Sequence, residues 1–299
     1  MHARSKSWTR KLTPYLMLSP SYAFIVTLMA VPVGMGILYS FQNYMFFDPF
    51  NRAFIGLDNF SRILGDRTFW TAVRNTVVWT VVSLALQFIL GMTLALLLNA
   101  GPFPGKPLYQ ALVFLPWAVP GFLIGMTWKW MFNAELGVIS DILMRLHLIS
   151  QPVGILSNPS TALLGVIAAN VWFGVPFFAI TLLAGLQSIP YELYEAGTID
   201  GASSTGLFYH VTLPLLKPTI IVSTLLRFIW IANFPDLIYI MTEGGPAGAS
   251  QTLATYIFAT GYKSLNIGYS AALSVVLFLG LLVFAAVYMG ITRFGREGA

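Results

Sequence analysis

The side chains that could do chemistry in this sequence gather in two places. One is a polar run from Ser188 to Pro218, where Glu192, Glu195 and Asp200 accompany the small residues Ala196, Gly197, Gly201 and Ala202. Small residues let another protein come close to a helix backbone, and carboxylates at its edge accept hydrogen bonds from basic partners. The chemistry on offer is docking, although a surface connector with ordinary helix caps would use the same residues. The other place is the apolar run 218–241, which carries Arg227, Trp230, Asn233 and Asp236. Trp230, Asn233, Asp236 and Leu237 fall on one helical face by three- and four-residue spacing. An indole with an amide and a carboxylate suits stacking on a sugar ring and hydrogen bonding to its hydroxyls, and equally suits packing between helices. Arg227 lies near mid-run, where a charge costs about 3 kcal/mol on insertion scales, so it must face protein or water. It suits an anionic ligand or, as the preferred reading, a carboxylate or helix end in a partner subunit. Trp172, with Asn170 and Pro176 in the preceding run, joins this group because a proline inside a span often marks a kink beside a cavity.

Placing these residues requires helices that cross lipid. Only 9% of the 299 residues are charged and 57% are hydrophobic, with a mean hydropathy of +0.76, against about 25% charged in an ordinary soluble domain. A helix needs about 20 apolar residues to cross a hydrocarbon core of about 30 Å. Residues 12–47, 75–105, 107–128, 146–191 and 264–292 contain no Asp, Glu, Lys or Arg, and 218–241 is interrupted by Arg227 and Asp236 alone. The polar stretch His147–Ser160 should lie outside the membrane. Six spanning helices are expected, at 13–40, 72–98, 108–131, 161–186, 218–241 and 267–291. The fold class is all-α and polytopic, since lipid cannot satisfy exposed backbone groups and the apolar runs are continuous where a barrel would alternate.

Arg4, Lys6, Arg10 and Lys11 at one end, and Arg293 and Arg296 at the other, put both termini on the cytoplasmic side. Between them, loop 42–71 balances Arg52, Arg62 and Arg67 with Asp48, Asp58 and Asp66. The expected organisation is a basic tail at 1–12, a transmembrane domain at 13–291 and a second tail at 292–299. The first apolar run is too long for a signal-peptide core and shows no small-x-small cleavage site. With no cysteine, disulfides and thiolate sites are excluded. A net charge of +5 spread over helix flanks serves membrane anchoring, and no nucleic-acid partner is expected.

An enzyme reading finds little support. Gly101-Pro-Phe-Pro-Gly105-Lys106-Pro107 has three residues between its glycines where a phosphate loop has four, and Pro107 stands where Ser or Thr must hold the metal ion. His2, His147 and His210 are scattered over loops. No catalytic residue and no metal site is therefore assigned. An ion-driven secondary transporter is the competitor from another class, but no clear repeat is present and the acidic residues mostly lie in loops.

The run 188–218 reads as two short helices. Pro190 suits a first helical position, Gly201 ends the first helix, and Ser203 or Ser204 caps a second through His210, stopped by Pro214 and Pro218. Glu195-Ala196-Gly197, Asp200-Gly201-Ala202 and Val211-Thr212-Leu213-Pro214 together resemble the coupling loop of ATP-binding-cassette importer permeases. Gly197 replaces the family's second Ala and Val211 its usual Ile. The resemblance implies that the loop docks on a separate ATPase subunit, with Glu195, Asp200 and Gly201 in the contact. Phe54-Ile-Gly-Leu-Asp-Asn-Phe60, Phe69-Trp70, Asn75-Thr76, Thr242-Glu-Gly-Gly-Pro246, Thr252-Leu253 and Tyr256-Ile257 resemble the carbohydrate branch of that family. The implied assembly sits in a bacterial or archaeal cytoplasmic membrane. It holds one copy of this chain, a related second permease, two ATPase copies that bind ATP and Mg, and an extracytoplasmic solute-binding protein, all in contact with membrane lipid as the topology requires.

Overall fold

The computed structural model describes the backbone of residues 5–292 and the side chains of residues 12–292. The basic tail residues Arg4, Arg293 and Arg296, and His2, lie outside the described residues, as do the side chains of Lys6, Arg10 and Lys11. In chain order the elements are α1 (Ser5–Ile25), a π-helical turn (Val26–Ala30), α2 (Val31–Ser40), β1 (Gln42–Met45), β2 (Asp48–Phe54), α3 (Asp58–Gly65), α4 (Arg67–Asn99), α5 (Lys106–Ala118), α6 (Gly121–Met131), α7 (Val138–Arg145) and α8 (Ala162–Gln187). There follow α9 (Tyr191–Ile199), α10 (Ser204–Leu207), a π-helical turn (Phe208–Thr212), α11 (Leu213–Ala232), α12 (Asp236–Thr242), α13 (Leu253–Phe258), a π-helical turn (Ala259–Lys263) and α14 (Ile267–Thr292). Among the described residues five helical stretches are long and apolar enough to span, and a sixth span exists if the bent pair α5 and α6 is counted as one.

Several expectations need correction. The span at 108–131 is not one straight helix: α5 and α6 meet at 95°. Pro116 and Pro120 explain the break, since each lacks an N–H and Pro120 drives Val119 to extended backbone, φ −100° and ψ 128°. The span at 218–241 is also divided, ending at Ala232 and restarting as α12 after Phe234-Pro235. At its other end it starts far earlier, because the polypeptide runs helically from Ser204 through the π turn into α11. Pro214 does not stop that helix. It follows directly on the π turn, in which Leu213 N–H donates to the Phe208 carbonyl, and Pro218 four residues on likewise lies inside the helix instead of stopping it. Among the described residues the fold is helical apart from one antiparallel hairpin, β1–β2, in the stretch read as a plain loop.

The chain forms two compact units. One holds the described residues up to Gly65 together with Ala259–Val276. There the hairpin is closed by buried Asn59, whose Nδ2 donates to the carbonyls of Ser40 (3.0 Å) and Gln42 (3.1 Å). The guanidinium of Arg52 lies 3.8 Å over the ring of Tyr44. Gly268 lets the start of α14 pass the hairpin, since a Cβ there would sit 2.2 Å from the Gln42 carbonyl oxygen.

The other unit holds Asp66–Phe258 and the chain from Leu277. Its centre is the pairing of α4 with α8. Asp66 caps α4 by accepting from the Thr68 N–H at 2.8 Å. At Gly91 the two backbones approach so closely that a Cβ would lie 2.4 Å from Phe178 Cβ, the small-residue contact that packs helices in lipid. Trp79 is fully buried, and its Nε1–H donates at 2.9 Å to the carbonyl of Ile231 near the end of α11, where helix termination frees acceptors. One apolar core surrounds Trp79, Val166, Ile231 and Leu237, and a second joins Ala95, Phe178, Leu182 and Leu216.

Candidate translocation site and coupling segment

Residues 190–214 build an exposed platform at one end of α8. Pro190, with φ −58° and ψ 132°, stands immediately before α9, one place ahead of the first helical position expected for it. The helix ends in a Schellman arrangement: Ala202 N–H donates to the Gly197 carbonyl at 2.9 Å and Gly201 N–H to the Thr198 carbonyl at 3.0 Å. Gly201 supplies the left-handed φ of +82° that this closure requires. Ser203 then caps α10, its Oγ accepting from Gly206 N–H at 3.2 Å. Two contacts fix α9 to the following segment. Tyr194 Oη meets Thr212 Oγ1 of the π turn at 3.0 Å. Leu207 packs on Gly197, where an alanine Cβ would lie 2.6 Å from Leu207 Cδ2, so the glycine at this position answers to its own neighbour.

Glu195, Ala196, Asp200, Gly201 and Ala202 are all exposed, and Ile199 is 85% exposed. Tyr191, Leu193 and Ile199 add apolar surface between the carboxylates. Leu213 is partly buried and Pro214 exposed where the platform passes into α11. A small helix with acidic edges and an uncovered apolar centre can dock a protein.

Further along α8 and α11 lies a cavity of about 350 Å³, walled by Trp117, Asn170, Phe173, Arg227, Trp230 and Asn233 among others. Arg227 is 5% exposed. Its Nε–H donates to Gln87 Oε1 at 2.7 Å, and Gln87 Nε2–H donates in turn to the Asn170 carbonyl at 2.9 Å. The guanidinium carbon also lies 5.7 Å from the centre of the Phe177 ring. Gly174 makes the room, since a Cβ there would lie 2.1 Å from Gln87 Cδ and 2.3 Å from an Arg227 Nη. Arg227 thus has a neutral amide partner within its own chain. Both polar atoms of the Asn170 side chain are buried with no hydrogen-bond partner, a cost of about 1–3 kcal/mol that an incoming hydroxyl would relieve. Trp117 Nε1–H donates to the Phe173 carbonyl at 3.1 Å, and the Trp230 ring lies 5.5 Å from that of Phe177. Aromatic walls with a few buried polar groups give this cavity the make-up of a small-molecule pocket.

The sequence-derived group separates here. Arg227, Trp230 and Asn233 share the cavity wall. Asp236 does not continue their helical face, because Pro235 starts a new helix with exposed Asp236 in its first turn and Leu237 turned into the core. Trp172 stands elsewhere on α8, 6.2 Å from Trp128 and in an apolar recess with Pro116 and Pro176. Gln87, the acceptor for Arg227, and Gly174 escape sequence reasoning. A lone amide inside the charge-free run 75–105 is the available signal for Gln87.

Lipid-length helices around an aromatic-walled cavity, with an exposed platform at one end, fit a membrane transport subunit. Residues 87–294 match the family model described as binding-protein-dependent transport system inner membrane component. The chain is 38% identical over 284 residues to the trehalose/maltose transport system permease protein of Thermococcus litoralis, covering 95% of this chain and 94% of that one. It is 34% identical over 292 residues to the sulfoquinovosyl glycerol transport system permease protein of Agrobacterium fabrum, covering 96% and 94%. It shares its fold, at a TM-score of 0.84 and 24% identity over 97% of this chain and 98% of the other, with a chain in the crystal structure of a bacterial ABC transporter involved in the import of the acidic polysaccharide alginate. The chain belongs to the inner membrane components of binding-protein-dependent transport systems, the permeases of ABC importers.

Proposed function

We propose that this chain forms half of the translocation pathway of an ATP-driven importer for a sugar or sugar-like solute, and that α9 docks it on a separate ATPase. The observation that carries the reading is the pairing of an uncovered, acid-edged α9 with an aromatic cavity on the same two helices, α8 and α11. The trehalose/maltose and sulfoquinovosyl glycerol permeases that it resembles carry carbohydrate names, which supports the solute class. A related second permease completes the pathway, two ATPase copies hold ATP and Mg, and an extracytoplasmic solute-binding protein delivers the solute. In this reading residues 13–291 work as one permease domain, and the platform 188–218, the tail 1–12 and the tail 292–299 are cytoplasmic.

Closure of the ATPases around ATP would move α9 through Glu195, Ala196, Asp200, Gly201 and Ala202. The movement passes to α8 through Pro190, and to α11 through Gly197 with its neighbour Leu207 and through Thr212, Leu213 and Pro214. Because α8 and α11 carry Asn170, Arg227, Trp230 and Asn233, the cavity would open alternately to the two sides. Trp172 and Asp236 belong to this reading as flanking groups outside the cavity. The test is purification of the tagged chain in mild detergent with an ATPase assay in the presence of candidate binding proteins. Recovery of a second permease and an ATPase stimulated by one loaded binding protein supports the reading and names the solute. A chain that brings no ATPase and transports alone in liposomes supports the ion-driven alternative.

A further inference from the structure

Asn75-Thr76 on α4 and the Gly-rich stretch from Thr242 to Tyr256 stand out in the sequence, yet neither belongs to the platform or to the cavity. They form one structure. The loop after α12 turns through four left-handed residues, Glu243 (φ +53°), Gly244 (+86°), Ala247 (+49°) and Gly248 (+78°). Glu243 and Ala247 carry a Cβ, so this conformation costs free energy and persists only because its surroundings impose it. The constraint comes from α4. Asn75 Nδ2 lies 3.1 Å from the Gly248 carbonyl, 3.2 Å from that of Ala249 and 3.0 Å from that of Gln251. The next residue, Thr76, accepts the Leu253 N–H on Oγ1 at 2.8 Å. Farther along the chain, Tyr256 Oη donates to Asp66 Oδ2 at 2.5 Å. Inside the loop, fully buried Ser250 bonds Thr242 Oγ1 at 2.7 Å and the Gly245 carbonyl at 2.6 Å, which ties the held half to the half that follows α12.

That first half walls a polar cleft of about 650 Å³, with Lys129, Asn133, Glu135 and Ser157 opposite Thr242 and Glu243. The cleft adjoins the start of α8, where a Cβ on Gly165 would meet Leu156 and Ile155, while α9 follows the other end of the same helix. A 26-residue helix is about 39 Å long, enough to set the two features on opposite faces of a bilayer. We propose that Asn75 and Thr76 are positioning residues that hold the 242–252 loop as a preformed wall of this cleft, and that the wall is a contact for the extracytoplasmic solute-binding protein. The assignment rests on the importer reading above. A mixed-charge, hydrogen-bonding cleft suits the polar surface of a soluble protein, and a wall fixed in advance spares that protein the entropy of ordering it.

The test uses the reconstituted complex with its binding protein. In the Asn75→Ala complex, which should still co-purify with its ATPase, the loaded binding protein needed for half-maximal ATPase stimulation should rise about tenfold while the maximal rate stays within about twofold. A role confined to folding would lower yield or maximal rate and leave half-saturation where it is. If Asn75→Ala does not assemble, Thr76→Val decides on the same criterion with a shift of about threefold. Unshifted half-saturation, or a loss confined to the maximal rate, overturns this inference alone. A wild-type complex that no loaded binding protein stimulates overturns it together with the importer reading.

Discussion

The exposed platform at 190–214 and the cavity at Arg227 lie on the same two helices, α8 and α11, and are built in opposite ways. The platform is continuous in sequence and faces outward, its carboxylates and apolar residues uncovered. What makes it work is local: a Schellman closure at Gly201, a serine cap, one hydroxyl pair and one glycine contact. The cavity collects residues from α5, α8 and α11 and faces inward, with Arg227 reaching Gln87 of α4 across 140 residues of chain. A site that another protein must recognise can be short and exposed. A site that must hide a charge from lipid needs donors and acceptors from several helices, because one helix cannot surround a guanidinium.

The contrast sharpens into mutations whose effects should differ in kind. Gly201→Val should have the largest effect. A Cβ at Gly201 meets nothing within 4 Å, so the strain is confined to the left-handed backbone. The protein should insert and keep its melting temperature within a few degrees while transport falls roughly a hundredfold, the scale of a lost interface hot spot. Uptake in proteoliposomes at matched membrane levels checks this, and normal uptake would refute the platform's role. In the cavity the order reverses, with stability affected first. Gln87→Leu leaves a buried guanidinium without its acceptor and should cost about 1.5–3 kcal/mol of stability. Adding Arg227→Met should restore part of it, and additive losses in thermal melts of the double variant would show that the two side chains do not interact. Gly174→Ala should cost about 1–3 kcal/mol by overpacking the same pair, read in the same melts. The smallest effect is expected from Trp230→Ala, which should raise the solute concentration for half-maximal uptake about fivefold, the scale of one lost aromatic stacking contact. An unchanged value would remove Trp230 from the pathway.

Legibility in the sequence follows the same division. The helical, membrane-spanning class can be read from charge-free runs, because lipid enforces that pattern over about 20 or more residues at a time. The platform can be read too, as Pro190, Gly201 and Ser203 are punctuation whose effect is local. The second half of that reading fails at Pro214 and Pro218, because the helix runs on from the π turn through both prolines. The straight third span fails for a related reason: Pro116 and Pro120 are compatible with a kink or a break, and packing decides between them. The face assembled from Trp230, Asn233 and Asp236 assumes helical continuity that Phe234-Pro235 interrupts. Gln87 as the partner of Arg227 is not legible, since the distance between them in sequence carries no periodic signal. The hairpin at 42–54 is hidden for another reason, its closure depending on Asn59 beyond the strands themselves.

The central claim is that α9 meets an ATPase, and the absence of cysteine from the sequence makes it directly testable. A single cysteine introduced by Ile199→Cys, at the most exposed apolar position of α9, can carry a thiol-directed photocrosslinker in native membranes. The account predicts a crosslink from position 199 to an ATPase subunit, with a yield that changes when ATP is added, and none from a control at Asn133→Cys in the cleft beside the start of α8. Capture of the ATPase from position 133 and not from 199 would contradict it.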